Sequence, residues 1–243
     1  MKVYGHRGAP DTALENTMAS FEAACKMNCF AFELDVHKTK DNKIAVIHTT
    51  YELREKWGND KSFTDLTLEE LKSLEFQDPS GKFGVQRIPD LDEVYEMAKK
   101  YPDVMIIVDI KDQVGSDDLY ENLVKTTAKH NMQNRVRYSF TGGEVLSWFA
   151  KNAPEIPVAL TPNDIDDTDF ERGLKYGCNM VATHPYFKVV DAEYVERAHK
   201  AGLEVVPWTV DAPEEVKRLL DLGVDGILTN RPTMAFEIIK ENK

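Results

Sequence analysis

Short runs of β-branched and apolar residues alternate with longer stretches of helical periodicity along almost the whole chain. The strand-like runs are Lys2–His6, Phe30–Val36, Val104–Ile110, Val136–Phe140, Pro157–Leu160, Met180–Ala182, Glu204–Trp208 and Asp225–Thr229. Between them, Leu91, Val94, Tyr95 and Ala98 recur at i, i+3, i+4, i+7, the apolar stripe of an amphipathic helix. Val216, Leu219 and Leu220 repeat that stripe in a segment that opens at Pro213 and stops at Gly223, and Gly202 ends a helix begun at Asp191. No linker or low-complexity stretch interrupts the alternation, so residues 1–243 are expected to form a single domain.

Strand centres lie about 20–30 residues apart, a period that suits repeated βα units. Eight such units predict an α/β fold, a (β/α)8 TIM barrel, for which about 250 residues is typical. An open doubly wound sheet is the rival; the count of units and the lack of a glycine-rich turn after the first strand favour the barrel.

The long gap after the second strand breaks the rhythm. A further strand-like run, Ile44–His48, follows a link, Lys38–Lys43, too short for a crossover helix. The two runs are therefore predicted to pair antiparallel, turning near Asp41-Asn42 and returning His48 to the level at which strand two ends. The whole insertion, about residues 37–88, is predicted to add one short helix, announced by a Thr67–Glu70 capping box, and to lie over the barrel mouth.

Composition narrows the partners. Thirty Lys and Arg against 42 Asp and Glu give a net charge of −12, with 42% hydrophobic and 30% charged residues, an ordinary soluble composition. No Lys/Arg cluster or basic amphipathic helix is present, so nucleic acid and anionic membrane surfaces are poor candidates. The longest apolar runs, such as Met105–Val108, fall far short of the roughly 20 residues of a membrane span. The strand pattern begins at Lys2, so no signal peptide is expected and the predicted location is cytoplasmic. Cys25, Cys29 and Cys178 cannot all pair, and Cys25 and Cys29 lack the further ligands of a zinc site, so buried reduced thiols are expected.

Candidate chemistry lies at the carboxyl ends of the barrel strands. Those ends deliver His6 and Arg7, Glu33 and Asp35, Asp109 and Lys111, Ser139 and Phe140, Trp208, and Thr229-Asn230-Arg231, while the hairpin returns His48. Glu33 and Asp35 are two apart on one strand and share a face, and Asp109 on the neighbouring strand adds a third carboxylate. Clustered carboxylates raise one another's pKa unless a cation joins them. That cation is either a divalent ion with oxygen ligands, Mg²⁺ or Ca²⁺ rather than zinc, or the side chains of Arg7 and Lys111. His6 and His48 suit acid/base work near neutrality, and Arg7 offers a bidentate fork to a phosphate. Gly5 and Gly8 would let backbone approach a ligand. His130 and His199 fall on helices and are expected to be solvated; His37 sits in the hairpin; His184, in Thr183-His184-Pro185-Tyr186, reads as a loop residue within reach of the mouth. Trp208 is either a pocket floor or packing.

Taken in order, His6-Arg7-Gly8-Ala9, Glu15-Asn16-Thr17, Glu33-Leu34-Asp35-Val36, Val46-Ile47-His48, Asp109-Ile110-Lys111, Ser139-Phe140, Trp208-Thr209-Val210 and Gly223…Thr229 resemble the glycerophosphodiester phosphodiesterase family. The resemblance runs from residue 5 to about 232. It implies a divalent cation, usually Ca²⁺ or Mg²⁺, and hydrolysis of a small-molecule glycerophosphodiester to glycerol 3-phosphate and an alcohol. By resemblance, His6 and His48 match the acid/base pair, Glu33 and Asp35 the metal ligands, Arg7 and Lys111 the phosphate-binding positions, and Phe140 and Trp208 walls of the glycerol pocket. Glu15 and Asn16 match a structural support of the first loop. The family usually has Glu where Asp109 stands, Asp where Thr49 follows His48, and Asp at Asn230, which reads here as a helix cap. The segment after His48 also diverges, which leaves a lysophospholipid or another phosphodiester as an alternative substrate and a non-catalytic phosphodiester-binding barrel as a further one.

Overall fold

The computed structural model describes residues 1–111, 116–141, 143–161, 174 and 179–242. Cys178 lies outside them. The chain opens with β1 (Lys2–Gly5), α1 (Met18–Lys26) and β2 (Ala31–Lys38), and β3 (Ile44–Val46) turns back along β2. The insertion continues through α2 (Thr50–Trp57), α3 (Leu68–Lys72) and the short strands β4 (Phe76–Gln77) and β5 (Val85–Gln86). Strand and helix then alternate: α4 (Leu91–Ala98), β6 (Met105–Ile110), α5 (Asp117–Lys129), β7 (Val136–Phe140), α6 (Gly143–Asn152), β8 (Val158–Leu160) and β9 (Met180–Thr183). The chain closes with α7 (Ala192–Lys200), β10 (Glu204–Val205), α8 (Pro213–Asp221), β11 (Gly226–Thr229) and α9 (Pro232–Glu241).

Eight of these strands run parallel in the order β10-β9-β8-β7-β6-β2-β1-β11. Across the remaining seam, Asp225 N donates to Val205 O at 3.1 Å and Leu228 N to Pro207 O at 2.9 Å. The sheet thus curls into a nearly closed eight-stranded barrel ringed by helices, as predicted. β10 is only two residues long, shorter than the predicted Glu204–Trp208, although Val206 N still donates to Thr183 O at 3.0 Å and Trp208 forms an isolated bridge with Tyr186.

Strand alternation sorts the core. Phe32, Leu34 and Val36 on β2, with Ile106, Val108 and Ile110 on β6, point outward under the helices into the main core. Tyr4, Ala31, Ile107, Val206 and Leu228 point inward and fill the barrel. Each fully buried side chain of this size contributes about 1.5–3 kcal/mol. The helix stripe predicted at Leu91, Val94, Tyr95 and Ala98 is buried throughout.

The β2–β3 hairpin has the predicted antiparallel register, Val36 opposite Val46 and Lys38 opposite Ile44. The Thr67 capping box is formed. The insertion holds α2 as well as α3, however, where one helix was expected. Glu52, Arg54, Glu55 and Lys56 hide the periodicity of α2, whose Leu53 and Trp57 join Ala45, Ile47, Phe63, Leu66, Leu71 and Ile88 in a core of their own. The Thr49 side chain accepts from Glu52 N to cap α2, which stops at Gly58 with φ +66°.

Two further expectations are settled by burial. Cys25 and Cys29 are free buried thiols, pushed up to about 12 by burial. His130 is not solvated: it is buried at the end of α5, with Nε2 2.6 Å from Asp92 and Nδ1 2.8 Å from Glu96 of α4. No helix among the described residues is long and apolar enough to cross a membrane.

Candidate active site

Parallel register places Asp35 of β2 level with Asp109 of β6 and Glu33 level with Ile107. Alternation turns all three carboxylates to one side, so Glu33, Asp35 and Asp109 offer oxygens within 4.8 Å of one another. Arg7 Nε lies 3.0 Å from Asp35 Oδ2, and Lys111 Nζ lies 2.9 Å from Asp35 Oδ1 and also pairs with Asp109. The ion network considered from sequence is therefore present, and it serves the carboxylates unequally. Burial opposes ionisation of Asp35, but Lys111 and Arg7 more than offset it and hold the carboxyl below the usual range. Burial, with Asp35 and Asp109 nearby, pushes Glu33 well above its ordinary value, and Asp109 is raised as well, chiefly by burial. Three clustered oxygen donors with residual repulsion fit a hard divalent cation.

The first loop delivers its groups through a tight turn. Arg7 has φ +56° and Gly8 φ +93°. A Cβ on Gly8 would fall 2.4 Å from Ser20 Oγ, and that hydroxyl accepts from Ala9 N at 2.8 Å and donates to Arg7 O at 3.0 Å. Gly8 thus serves contact with α1 rather than approach to a ligand, which corrects the sequence reading. The Arg7 amide donates to Glu33 Oε2 at 2.9 Å, and Arg7 Nη1 meets Glu15 at 3.0 Å. Asn16 Nδ2 donates to Asp35 Oδ2 at 2.8 Å, so Glu15 and Asn16 hold the groups that hold the carboxylate cluster.

His6, at the end of β1, is buried, with Nδ1 2.7 Å from Asn230 Oδ1. His48 leaves β3 with its amide donating to Glu52 at 3.1 Å and its carbonyl accepting from His37 Nε2 at 2.8 Å. Both imidazoles are held down to about 4, first by burial and with Arg7 contributing, so both are neutral at pH 7 and able to accept a proton. Asn230 is not the cap of α9, where Arg231 stands at that position.

A cavity of about 220 Å³ opens at this end of the barrel. His6, His48, Arg7, Lys111, Glu33, Asp109 and Trp208 line it, while Asp35 sits behind them in its ion pairs. Phe140 is not brought to it. Ser139 and Thr141 take the inward positions of that strand end, and Phe140, one residue out of phase, is fully buried on the helix side with its ring stacked on Phe149 at 5.7 Å. Sequence parity alone carried that signal. His184, a loop residue by sequence, is buried and lines the cavity. Its Nδ1 donates to Val206 O at 3.2 Å, leaving Nε2 buried with no hydrogen bond among the described residues.

The pattern of the Glycerophosphoryl diester phosphodiesterase family matches residues 6–234. A glycerophosphodiester phosphodiesterase of Caldanaerobacter subterraneus subsp. tengcongensis is 32% identical over 254 residues, covering 98% of each chain. One from Bacillus altitudinis is 34% identical over 252 residues, covering 100% of this chain and 99% of its own. A phosphodiesterase from Oleispira antarctica, solved in complex with the product sn-glycerol-3-phosphate, shares the fold with a TM-score of 0.89 at 23% identity, covering 99% of this chain and 97% of the other. Barrel and relatives together define a phosphoric diester hydrolase. The chain belongs to the glycerophosphoryl diester phosphodiesterase family.

Proposed function

We propose that the protein is a divalent-cation-dependent phosphodiesterase that hydrolyses small glycerophosphodiesters to glycerol 3-phosphate and an alcohol, working as a single-domain cytoplasmic enzyme. The observation that carries this reading is the convergence of two neutral histidines, two cationic side chains and the carboxylate cluster on one cavity. A phosphodiester resists attack because its own negative charge repels the nucleophile. Arg7 and Lys111 offset that charge as it builds on the phosphoryl oxygens. One imidazole takes the proton of the attacking oxygen and later returns it to solvent; the other takes up a proton from solvent and gives it to the leaving alkoxide as the phosphorus–oxygen ester bond breaks. Glu33, Asp35 and Asp109 would hold Mg²⁺ or Ca²⁺, which supplies Lewis-acid stabilisation of the phosphoryl oxygens when bound. His184 and Trp208 also line the cavity, with His184 Nε2 and Trp208 Nε1 both buried and without a hydrogen bond among the described residues.

The test is release of glycerol 3-phosphate from glycerophosphocholine and glycerophosphoethanolamine by EDTA-treated protein, with Mg²⁺ or Ca²⁺ restored and a lysophospholipid in the same panel. Metal-restored release from the glycerophosphodiesters is the expected result. Cleavage of the lysophospholipid alone would replace the proposed substrate, and silence on the whole panel with both ions would overturn the reading.

A further inference from the structure

The Asn230 side chain lies between His6 and Asp211 and touches both. His6 Nδ1 is 2.7 Å from Asn230 Oδ1, and Asn230 Nδ2 donates to Asp211 Oδ2 at 2.7 Å. The carboxylate is itself pinned, its Oδ1 accepting from Asn230 N at 2.8 Å and from Thr229 Oγ1 at 3.1 Å. A carboxylate can only accept, so the amide must turn its NH₂ toward Asp211. That orientation turns the amide oxygen toward His6, and this oxygen too can only accept. Nδ1 therefore carries the proton of the neutral imidazole. Nε2 has no hydrogen bond among the described residues, and His6 lines the cavity.

We infer that Asp211 and Asn230 are positioning residues that lock His6 in its Nδ1–H tautomer, so that Nε2 presents the lone pair to the cavity. The inference deepens the proposed phosphodiesterase reading and rests on it for the role of His6. In the proton-transfer step, Nε2 takes the proton from the attacking O–H as that oxygen bonds to phosphorus and the phosphorus–oxygen bond to the leaving alcohol breaks, the alkoxide taking its proton through His48. The imidazolium so formed keeps Nδ1–H on the Asn230 carbonyl, and Asp211 behind the amide favours its charge. Without this relay the ring is free to take the Nε2–H tautomer, which cannot accept a proton at that atom.

The experiment is ¹⁵N NMR of the histidines in metal-free protein at neutral pH, with His6 assigned by the signals lost in His6→Asn. The lock requires a protonated Nδ1 and a bare Nε2; a protonated Nε2 would overturn it. In Asn230→Leu and in Asp211→Asn, whose amide is free to invert, the Nε2–H form should appear, and kcat should fall about 10- to 100-fold with KM within about twofold. The double variant Asp211→Asn/Asn230→Asp sets a carboxylate against the imidazole and an amide behind it, so both tautomer and kcat should return. Single variants that retain the wild-type tautomer and kcat would also overturn the inference. Because the spectrum needs no substrate, an inert protein with the stated tautomer would count against the proposed reaction and not against the relay.

Discussion

Lys111 Nζ sits 2.9 Å from Asp35 Oδ1 and pairs at the same time with Asp109, so one ammonium bridges two carboxylates level with each other on adjacent parallel strands. With Arg7 on the other oxygen of Asp35, both cations converge there, and Glu33 is left to the Arg7 amide. Burial pushes Glu33 and Asp109 toward protonation, whereas at Asp35 the two cations more than offset burial and hold the carboxyl ionised.

A divalent ion should relieve that repulsion and stabilise the fold. At 100 times its Kd, Mg²⁺ or Ca²⁺ should add about 2.7 kcal/mol, a rise in Tm of roughly 5–10 °C for a chain of this size. Glu33→Gln should weaken binding about tenfold or more by calorimetry. Unchanged affinity would remove Glu33 from the ligand set.

His6→Ala and His48→Ala should each lower turnover at least about 10²-fold with the circular dichroism spectrum unchanged. Near-normal turnover in either would take that imidazole out of proton transfer.

Burial, with Arg137 adding to it, holds His184 down to about 4 against about 6.5 when unfolded. The unfolded chain takes up a proton between those values while the folded protein does not, so stability falls as pH falls through that window. From pH 7 to pH 5 the loss is about 2 kcal/mol. The stability gap between the wild type and His184→Asn should narrow by that amount in urea titrations at the two pH values, and a constant gap would contradict a buried neutral imidazole.

Thr49 caps α2 immediately after His48. Thr49→Ala should cost about 1 kcal/mol and lower kcat through the position of His48, whereas Thr49→Asp, which can make the same cap, should do neither. Equal behaviour of the two variants would separate the cap from the histidine.

Phe140 packs on Phe149 under α6. Phe140→Ala should cost about 3–5 kcal/mol of stability and leave the KM of the residual folded enzyme unchanged. A large rise in KM at intact stability would return Phe140 to the pocket wall.

The order of elements, the β2–β3 hairpin and the inward carboxylates were legible in the chain because each depends on local rules. Alternation sets Glu33 and Asp35 on one face, and a six-residue link cannot cross a sheet. Parity also separated Ser139 and Thr141 from Phe140, but which parity faces inward depends on how β7 sits between β6 and β8. The charged surface of α2 concealed a helix whose apolar face exists only against β3 and α3. Contacts between distant segments are where local rules end. His130 is buried because α4 supplies Asp92 and Glu96, and Asn230 faces His6 because barrel closure sets β11 beside β1. The sequence by itself determined which residues could do chemistry and on which strand ends they stand. Which of them meet, which are buried neutral and which proton each holds were decided by tertiary structure, since burial and hydrogen-bond partners are properties of neighbours far apart in the chain.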